Sequence, residues 1–169
     1  MEKNLEKIKE LAQLKDKENQ DFSFFLRECD HHTVDRHVHK LNQKYSIEYD
    51  CTSCGNCCKK LMLTLTQEEI KVIAEHLDIS YQQFLKTYVE REAAGGFILA
   101  GPGCPFLENN KCSIYSYRPE ICRSYPHLYK DNINHRLLNI IDNTFVCPIV
   151  YNIFEELKDE LSYKYEQPE

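Results

Sequence analysis

Eight of the nine cysteines in this 169-residue chain fall in a pattern that core packing does not explain. Four occupy one octapeptide, as Cys51, Cys54, Cys57 and Cys58, and the rest follow at Cys104, Cys112, Cys122 and Cys147. Thiols so close in sequence offer a metal several ligands at little loop-closure cost. Soft thiolates select zinc, iron–sulfur clusters or Cu(I) over magnesium and calcium. The chemistry expected of the chain is therefore metal–sulfur chemistry.

Within the octapeptide, Cys51-x-x-Cys54-Gly55 has the form of a zinc knuckle, with two thiolates converging across a tight turn that glycine permits. Adding Cys57 gives C-x-x-C-x-x-C, the opening of a bacterial ferredoxin loop. The cysteine–proline pair that would complete it occurs only at a distance, at Cys104-Pro105 and at Cys147-Pro148. Zinc and an iron–sulfur cluster are equally well supported at this level. The neighbours Cys57 and Cys58 point about 100° apart on a helix and to opposite faces of a strand. Either one ligates while the other packs, or each serves a different centre. Eight thiolates divide into two four-thiolate sites, or into one site with a sulfur-rich surround. Some of the eight are expected to be buried small hydrophobes, as unligated cysteine often is. Cys29, alone on another segment, reads as a non-ligand.

A four-thiolate zinc site carries a net charge of about −2, as does a cysteine-ligated [4Fe–4S] cluster, and such charge needs N–H donors or cations nearby. Lys59, Lys60, Lys111, Arg118 and Arg123 lie beside the cysteines in sequence. Arg118 and Arg123 are read as cations that compensate the cofactor's charge, against the ordinary alternative of surface ion-pair residues.

The elements that must position these groups are mostly helical. Leu5, Ile8, Leu11 and Leu14 predict a surface helix within a charged segment, residues 1–20. Val34, Val38, Leu41 and Tyr45 predict a second helix from Asp30 to Tyr45. Leu61–Leu65 reads as a short strand. Thr66–Glu69 and Ser80–Gln83 are capping boxes, each opening a helix. Gly95-Gly96 is expected to stop the second of these. Residues 97–114 read as loop and short strand, broken at Gly101-Pro102-Gly103. Pro119 suits the first turn of a short helix carrying Cys122. Arg136–Ile141 and Thr144–Val146 are expected to pair as a hairpin around Asp142-Asn143. Pro148 opens a last helix, with Val150, Ile153, Phe154, Leu157 and Leu161 on its core face.

Composition narrows the function. A net charge of −6 argues against nucleic acid and anionic membrane as partners. No apolar run reaches transmembrane length. Met1–Lys7 is charged and does not read as an apolar leader, which points to the cytoplasm, where thiols stay reduced. An odd cysteine count in such a compartment disfavours a disulfide framework.

Several blocks are familiar in combination: Asp50-Cys51-Thr52-x-Cys54-Gly55-Asn56-Cys57-Cys58-Lys59, Cys104-Pro105-Phe106-Leu107, Cys112-Ser113-Ile114-Tyr115, Arg118-Pro119, Cys122-Arg123-Ser124-Tyr125-Pro126 and Cys147-Pro148. In this order, over about residues 34–160, the chain resembles the YkgJ-like cysteine-cluster family of zinc- or iron-chelating domains. The resemblance implies metal chelation by Cys51, Cys54, Cys57, Cys58, Cys104, Cys112, Cys122 and Cys147. Members are often labelled iron–sulfur oxidoreductases, a label that rests mainly on the cysteines. A similar motif occurs in bacterial flagellin lysine methylases, but no segment here reads as an S-adenosylmethionine site.

Four of seven histidines cluster at His31, His32, His37 and His39. His31, Asp35 and His39 share a helix face and could ligate iron or zinc, but the stripe flanks Val34, Val38 and Leu41 and reads as a solvated helix edge. His127 lies near the cysteines in sequence, where eight thiols already suffice. The fold expected is α+β, mostly α: a compact single domain over residues 21–169, behind the charged segment, with irregular loops organised around a cysteine-ligated metal centre. The function expected is chelation of zinc or iron, the latter as an ion or as an iron–sulfur cluster. An iron–sulfur electron carrier is the alternative, with a methyltransferase-related role behind both.

Overall fold

The computed structural model describes residues 1–92 and 95–166, apart from the side chain of Ser53. In chain order its elements are α1 (Leu5–Leu14), α2 (Asp16–Glu28), α3 (His31–Glu48), α4 (Cys51–Cys54), α5 (Asn56–Lys60), β1 (Thr64–Leu65), α6 (Gln67–His76), α7 (Tyr81–Tyr88), β2 (Val89–Arg91), β3 (Phe97–Leu99), β4 (Leu107–Glu108), β5 (Lys111–Cys112), α8 (Glu120–Ser124), α9 (Leu137–Thr144) and α10 (Pro148–Glu160). Turns of 3-10 helix cover Tyr115–Tyr117 and Ile133–His135. The architecture is α+β and mostly α. The chain divides into two compact units, residues 1–50 with 126–169, and residues 51–125.

The first unit is all helical. Asn4 caps α1 through its side-chain oxygen, which accepts from the N–H groups of Glu6 and Lys7. Ile8 and Ala12 of α1 are fully buried and cluster with Tyr151 of α10. Asp30 caps α3 by accepting from Thr33 N–H at 2.9 Å. The helix α3 buries Val34, Val38, Leu41 and Tyr45, the residues its periodicity marks, and packs on α10. One polar clamp holds this unit together from inside. Asp35 is buried, and its two carboxylate oxygens accept from the backbone N–H groups of Asn132 and Ile133 at 2.8 and 2.9 Å.

The hairpin expected around Asp142-Asn143 is instead helix α9. Leu137, Ile140, Ile141 and Thr144 are buried at i, i+3, i+4 and i+7. That period belongs to a helix, and burial of the stripe outweighs the turn preference of an Asp-Asn pair. Among the described residues, no single helix is long and apolar enough to cross a membrane.

The second unit is α+β. Both predicted capping boxes form: Thr66 with Glu69 opens α6, and Ser80 with Gln83 opens α7. The expected strand at Leu61–Leu65 shortens to β1. A three-stranded antiparallel sheet has the order β1-β3-β2, with Thr64 opposite Ile98 and Val89 opposite Leu99. Here too one expectation fails. Helix α7 ends at Tyr88 and runs directly into β2, so Gly95, at φ +91°, serves the β2–β3 connection and not a helix end. The unit's core gathers Leu63, Leu65, Ile70, Ile73, Phe84, Leu99, Phe106 and Ile114.

Candidate metal centre

Seven of the eight candidate cysteines lie in the second unit, delivered by four stretches of chain. The first is the helical pair α4–α5, joined by Gly55 in the left-handed conformation at φ +61°. A Cβ there would meet Asn110 and Leu107 at 3.4 Å, so Gly55 lets this turn lie against the β4–β5 hairpin. That hairpin is the second stretch. Its two-residue loop, Asn109-Asn110, has φ +49° and +64°, the type I′ turn whose twist matches the flanking strands. Register places Cys112 opposite Leu107, and α4 packs against β5. The third stretch is Gly103-Cys104, whose Cys104 N–H donates to the Cys58 carbonyl at 2.7 Å. The fourth is α8, which carries Cys122 and is tied to α6 by Glu120 N–H donating to Glu69 at 2.8 Å. Thus the capping residue of one helix also fixes the helix that presents a thiol.

Gly103 makes the closest of these approaches. Its φ is +87°, and a Cβ would stand 3.3 Å from the Cys58 carbonyl oxygen and from Lys59 backbone atoms. Gly101 has nearly the same φ, +88°, with open space around it. Gly101→Ala is therefore expected to cost only the backbone strain, about 1–2 kcal/mol. Gly103→Ala should cost more and loosen the Cys104–Cys58 contact as well. Urea unfolding of both variants measures the difference, and equal losses would refute a special role for Gly103.

The thiols share one electrostatic field. A hydrogen bond from the Cys57 side chain lowers the Cys58 thiol to about 6 against the effect of burial, with its own backbone N–H, Arg118 and Lys59 assisting. The adjacent thiols on α5 therefore interact, although simple helix geometry aims them apart. Burial pushes Cys104 up to about 11, reinforced by charge on Cys58 and Cys112. Burial also raises Cys112, again with Cys58 adding to it. Cys122 goes up to about 12, first through burial and then through Cys104, Cys58 and Cys112. Four sulfurs from four stretches of chain thus sense one another, and Cys104, Cys112 and Cys122 rest against the apolar core.

Arg118 is the cation that reaches three of these thiols. Its charge favours the thiolate at Cys58, Cys112 and Cys122. Its guanidinium lies 3.8 Å from the Tyr115 ring centroid, which holds it in place. Arg123 acts differently, since its Nε donates to the Arg118 carbonyl at 2.9 Å and braces the backbone of that residue. Tyr115, Gly103 and the Asn109-Asn110 turn carry no metal-site signal of their own in the sequence. Only the adjacent Asn pair, a hairpin-turn signal, could have pointed to β4–β5.

The remaining candidates are placed as follows. Cys51 is exposed and Cys54 half-buried on α4. Cys147 is buried in the first unit, just before Pro148, and Cys29 lies in that unit as well. Among the described residues, no group of three or more His, Cys, Asp or Glu side chains is already arranged around a metal position. The donor set nonetheless suits a thiophilic metal: soft sulfurs in a shared field, one of them with its thiol lowered to about 6, beside a guanidinium stacked on Tyr115.

Comparison with known proteins agrees with that chemistry. Residues 50–147 match the family described as "Putative zinc- or iron-chelating domain" (CxxCxxCC). An uncharacterized protein of Methanocaldococcus jannaschii is 38% identical over 85 residues, which is 48% of this chain and 46% of that protein. The match thus spans about half the length of the curated relative. No solved structure matches the chain significantly.

Proposed function

The chain belongs to the CxxCxxCC family of zinc- or iron-chelating domains, and from that premise we propose that residues 51–125 form its thiolate metal centre, with Cys58, Cys104, Cys112 and Cys122 as the principal ligands. What supports this reading is the geometry, with Cys104 N–H bonded to the Cys58 carbonyl at 2.7 Å and Cys104, Cys112 and Cys122 packed on one core, so that the four thiols shift one another's acidity. Cys51, Cys54 and Cys57 are further thiols at the rim of the same centre. Ligation by Cys147 rests on the family resemblance alone. Zinc held there by these thiols would supply a cross-link, and iron, as an ion or cluster, would supply a redox couple as well.

The residues divide the work among them. Cys58, whose thiol is lowered to about 6, gives up its proton most readily of the four and offers the first ligand. Cys104, Cys112 and Cys122 must each give up a proton on ligation, so metal affinity should rise with pH. Arg118 offsets the negative charge that accumulates, Tyr115 fixes its plane, and Arg123 holds its backbone. The exposure of Cys51 favours a centre open to exchange, for metal delivery or electron transfer, over a sealed structural site. Reduced thiols at these positions suit the cytoplasm.

The test is metal analysis and an absorption spectrum of anaerobically purified protein, together with its Arg118→Ala and Arg123→Ala variants. Zinc or iron should be retained, with visible absorption for an iron–sulfur cluster and none for zinc. Arg118→Ala should weaken retention roughly 10- to 100-fold, as loss of a group supporting the ligands does elsewhere. Arg123→Ala should weaken it less. Protein that holds no metal, or holds it equally after its thiols are alkylated, would overturn the reading.

A further inference from the structure

Helix α6 carries no thiol, yet both of its ends are tied to the stretch of chain that leads into Cys122. At its start, the Glu69 carboxylate divides its two oxygens. Oε2 accepts from the Thr66 N–H at 2.8 Å and closes the capping box of α6, while Oε1 accepts from the Glu120 N–H at 2.8 Å. At its end, the His76 ring stacks on the Tyr117 ring, with centroids 4.0 Å apart and planes 20° from parallel.

Local sequence explains why α8 uses an oxygen from another helix. Its N-cap is Pro119, whose side chain has no oxygen and makes no cap bond. Glu69 supplies what a serine or aspartate at that position would have supplied. The Cys122 N–H in turn donates to the Pro119 carbonyl at 2.9 Å, so an anchor on this first turn is an anchor on Cys122. The box that opens α7 shows what a glutamate adds. There Gln83 accepts from the Ser80 N–H at 2.8 Å, so an amide suffices to close a capping box. A carboxylate has a second acceptor oxygen where an amide has an NH₂ donor, and only the acceptor can meet the Glu120 N–H.

The chain between the two ties has little slack. Glu69 and His76 stand about 10 Å apart along α6 at 1.5 Å of rise per residue. The backbone is extended at Arg118, with φ −59° and ψ 145°, and at Pro119, with φ −55° and ψ 155°. At ~3.1 Å per residue, the steps from Tyr117 to Glu120 cover about 9 Å. Arg118 therefore sits on a stretch drawn back along α6 between two anchored ends.

We propose that Glu69 is a positioning residue of the thiolate centre, holding Cys122 within reach of the metal through the Glu120 N–H, while the His76–Tyr117 stack fixes the other end of the stretch that carries Arg118. This role rests on Cys122 being a ligand. A thiol ligates only where its sulfur can come within about 2.3 Å of the metal, so a displaced α8 leaves a site of three thiolates and one open position.

Cobalt(II) is the probe, because its sulfur-to-metal charge-transfer absorption grows with the number of thiolates bound. Full-length protein and its Glu69→Gln, Thr66→Ala and Cys122→Ser variants are loaded anaerobically with saturating cobalt(II). Loss of one thiolate in four removes about a quarter of the band, the result expected for Cys122→Ser. Glu69→Gln keeps an amide for the capping box and should lose the same share, with cobalt affinity about 10-fold weaker. Brief alkylation of that loaded variant should label Cys122 while Cys104 and Cys112 stay protected. Thr66→Ala weakens the same capping box but leaves both Glu69 oxygens engaged, and it should keep the whole band at saturation. A full band with Cys122 protected in Glu69→Gln would overturn the positioning role, as would an equal loss in Thr66→Ala. A Glu69→Gln chain that bound no cobalt would also overturn it, since three thiolates should remain. A full band in Cys122→Ser is a different failure: it would remove Cys122 from the centre, and this role with it.

Discussion

Removing the metal is expected to unfold residues 51–125 while α3 and α10 stay folded. That unit is small, and units below roughly 70–80 residues seldom hold together on an apolar core alone. Its strands run to three residues at most, and residues 100–119 contain only β4, β5 and one 3-10 turn. Ordering such chain costs about 1–2 kcal/mol per residue in backbone entropy. Thiolate ligation can offset much of it, since structural zinc contributes about 10–16 kcal/mol in zinc-finger peptides. A loss of only ~3 kcal/mol should lower the melting midpoint of a domain this size by ~12–24 °C. Calorimetry with and without a strong chelator measures the shift. Hydrogen exchange locates it: Cys104 N–H, bonded to Cys58, and Ser113 N–H, bonded to Phe106, should lose protection while Tyr151 N–H, bonded to Cys147, keeps it. An unchanged midpoint would show that the fold stands without the metal.

Cys58→Ser should abolish metal retention, whereas Cys29→Ser should leave it intact. Cys58 is the thiol held at about 6, and its charge reaches Cys104, Cys112 and Cys122. Serine supplies neither a soft ligand nor an anion at neutral pH. Loss of a group that merely supports a ligand weakens a metal site by about 10–100-fold, so loss of this ligand should reach at least ~100-fold. Cys57→Ser separates two roles. If Cys57 acts through its hydrogen bond to Cys58, the variant should bind metal more weakly with unchanged stoichiometry. If Cys57 is itself a ligand, stoichiometry should fall. Metal-to-protein ratios after dialysis decide between them. Full retention in Cys58→Ser would remove Cys58 from the centre.

The class of chemistry and the local signals were legible along the chain. Thiols select the class of metal whatever the backbone does. The caps at Thr66 and Ser80 can be read because a cap and the amide it satisfies lie within three residues. The apolar faces of α3 and α10 repeat at the helical period, so they too follow from residue order.

Contacts between distant residues settled the rest. The Asp142-Asn143 turn signal yielded to the buried stripe of α9, a choice made by partners on other elements. Arg118 and Arg123 look alike in sequence, yet one faces sulfurs and the other holds its carbonyl. Gly103 matters because Cys58 and Lys59 pass beside it, and Gly101 has no such neighbour. Asp35 spaces as a ligand with His31 and His39, but it commits its oxygens to amides almost a hundred residues away. Apart from the local bond between Arg123 and Arg118, these outcomes follow from closing long loops, and no local hydrogen-bonding or propensity rule records which loops close.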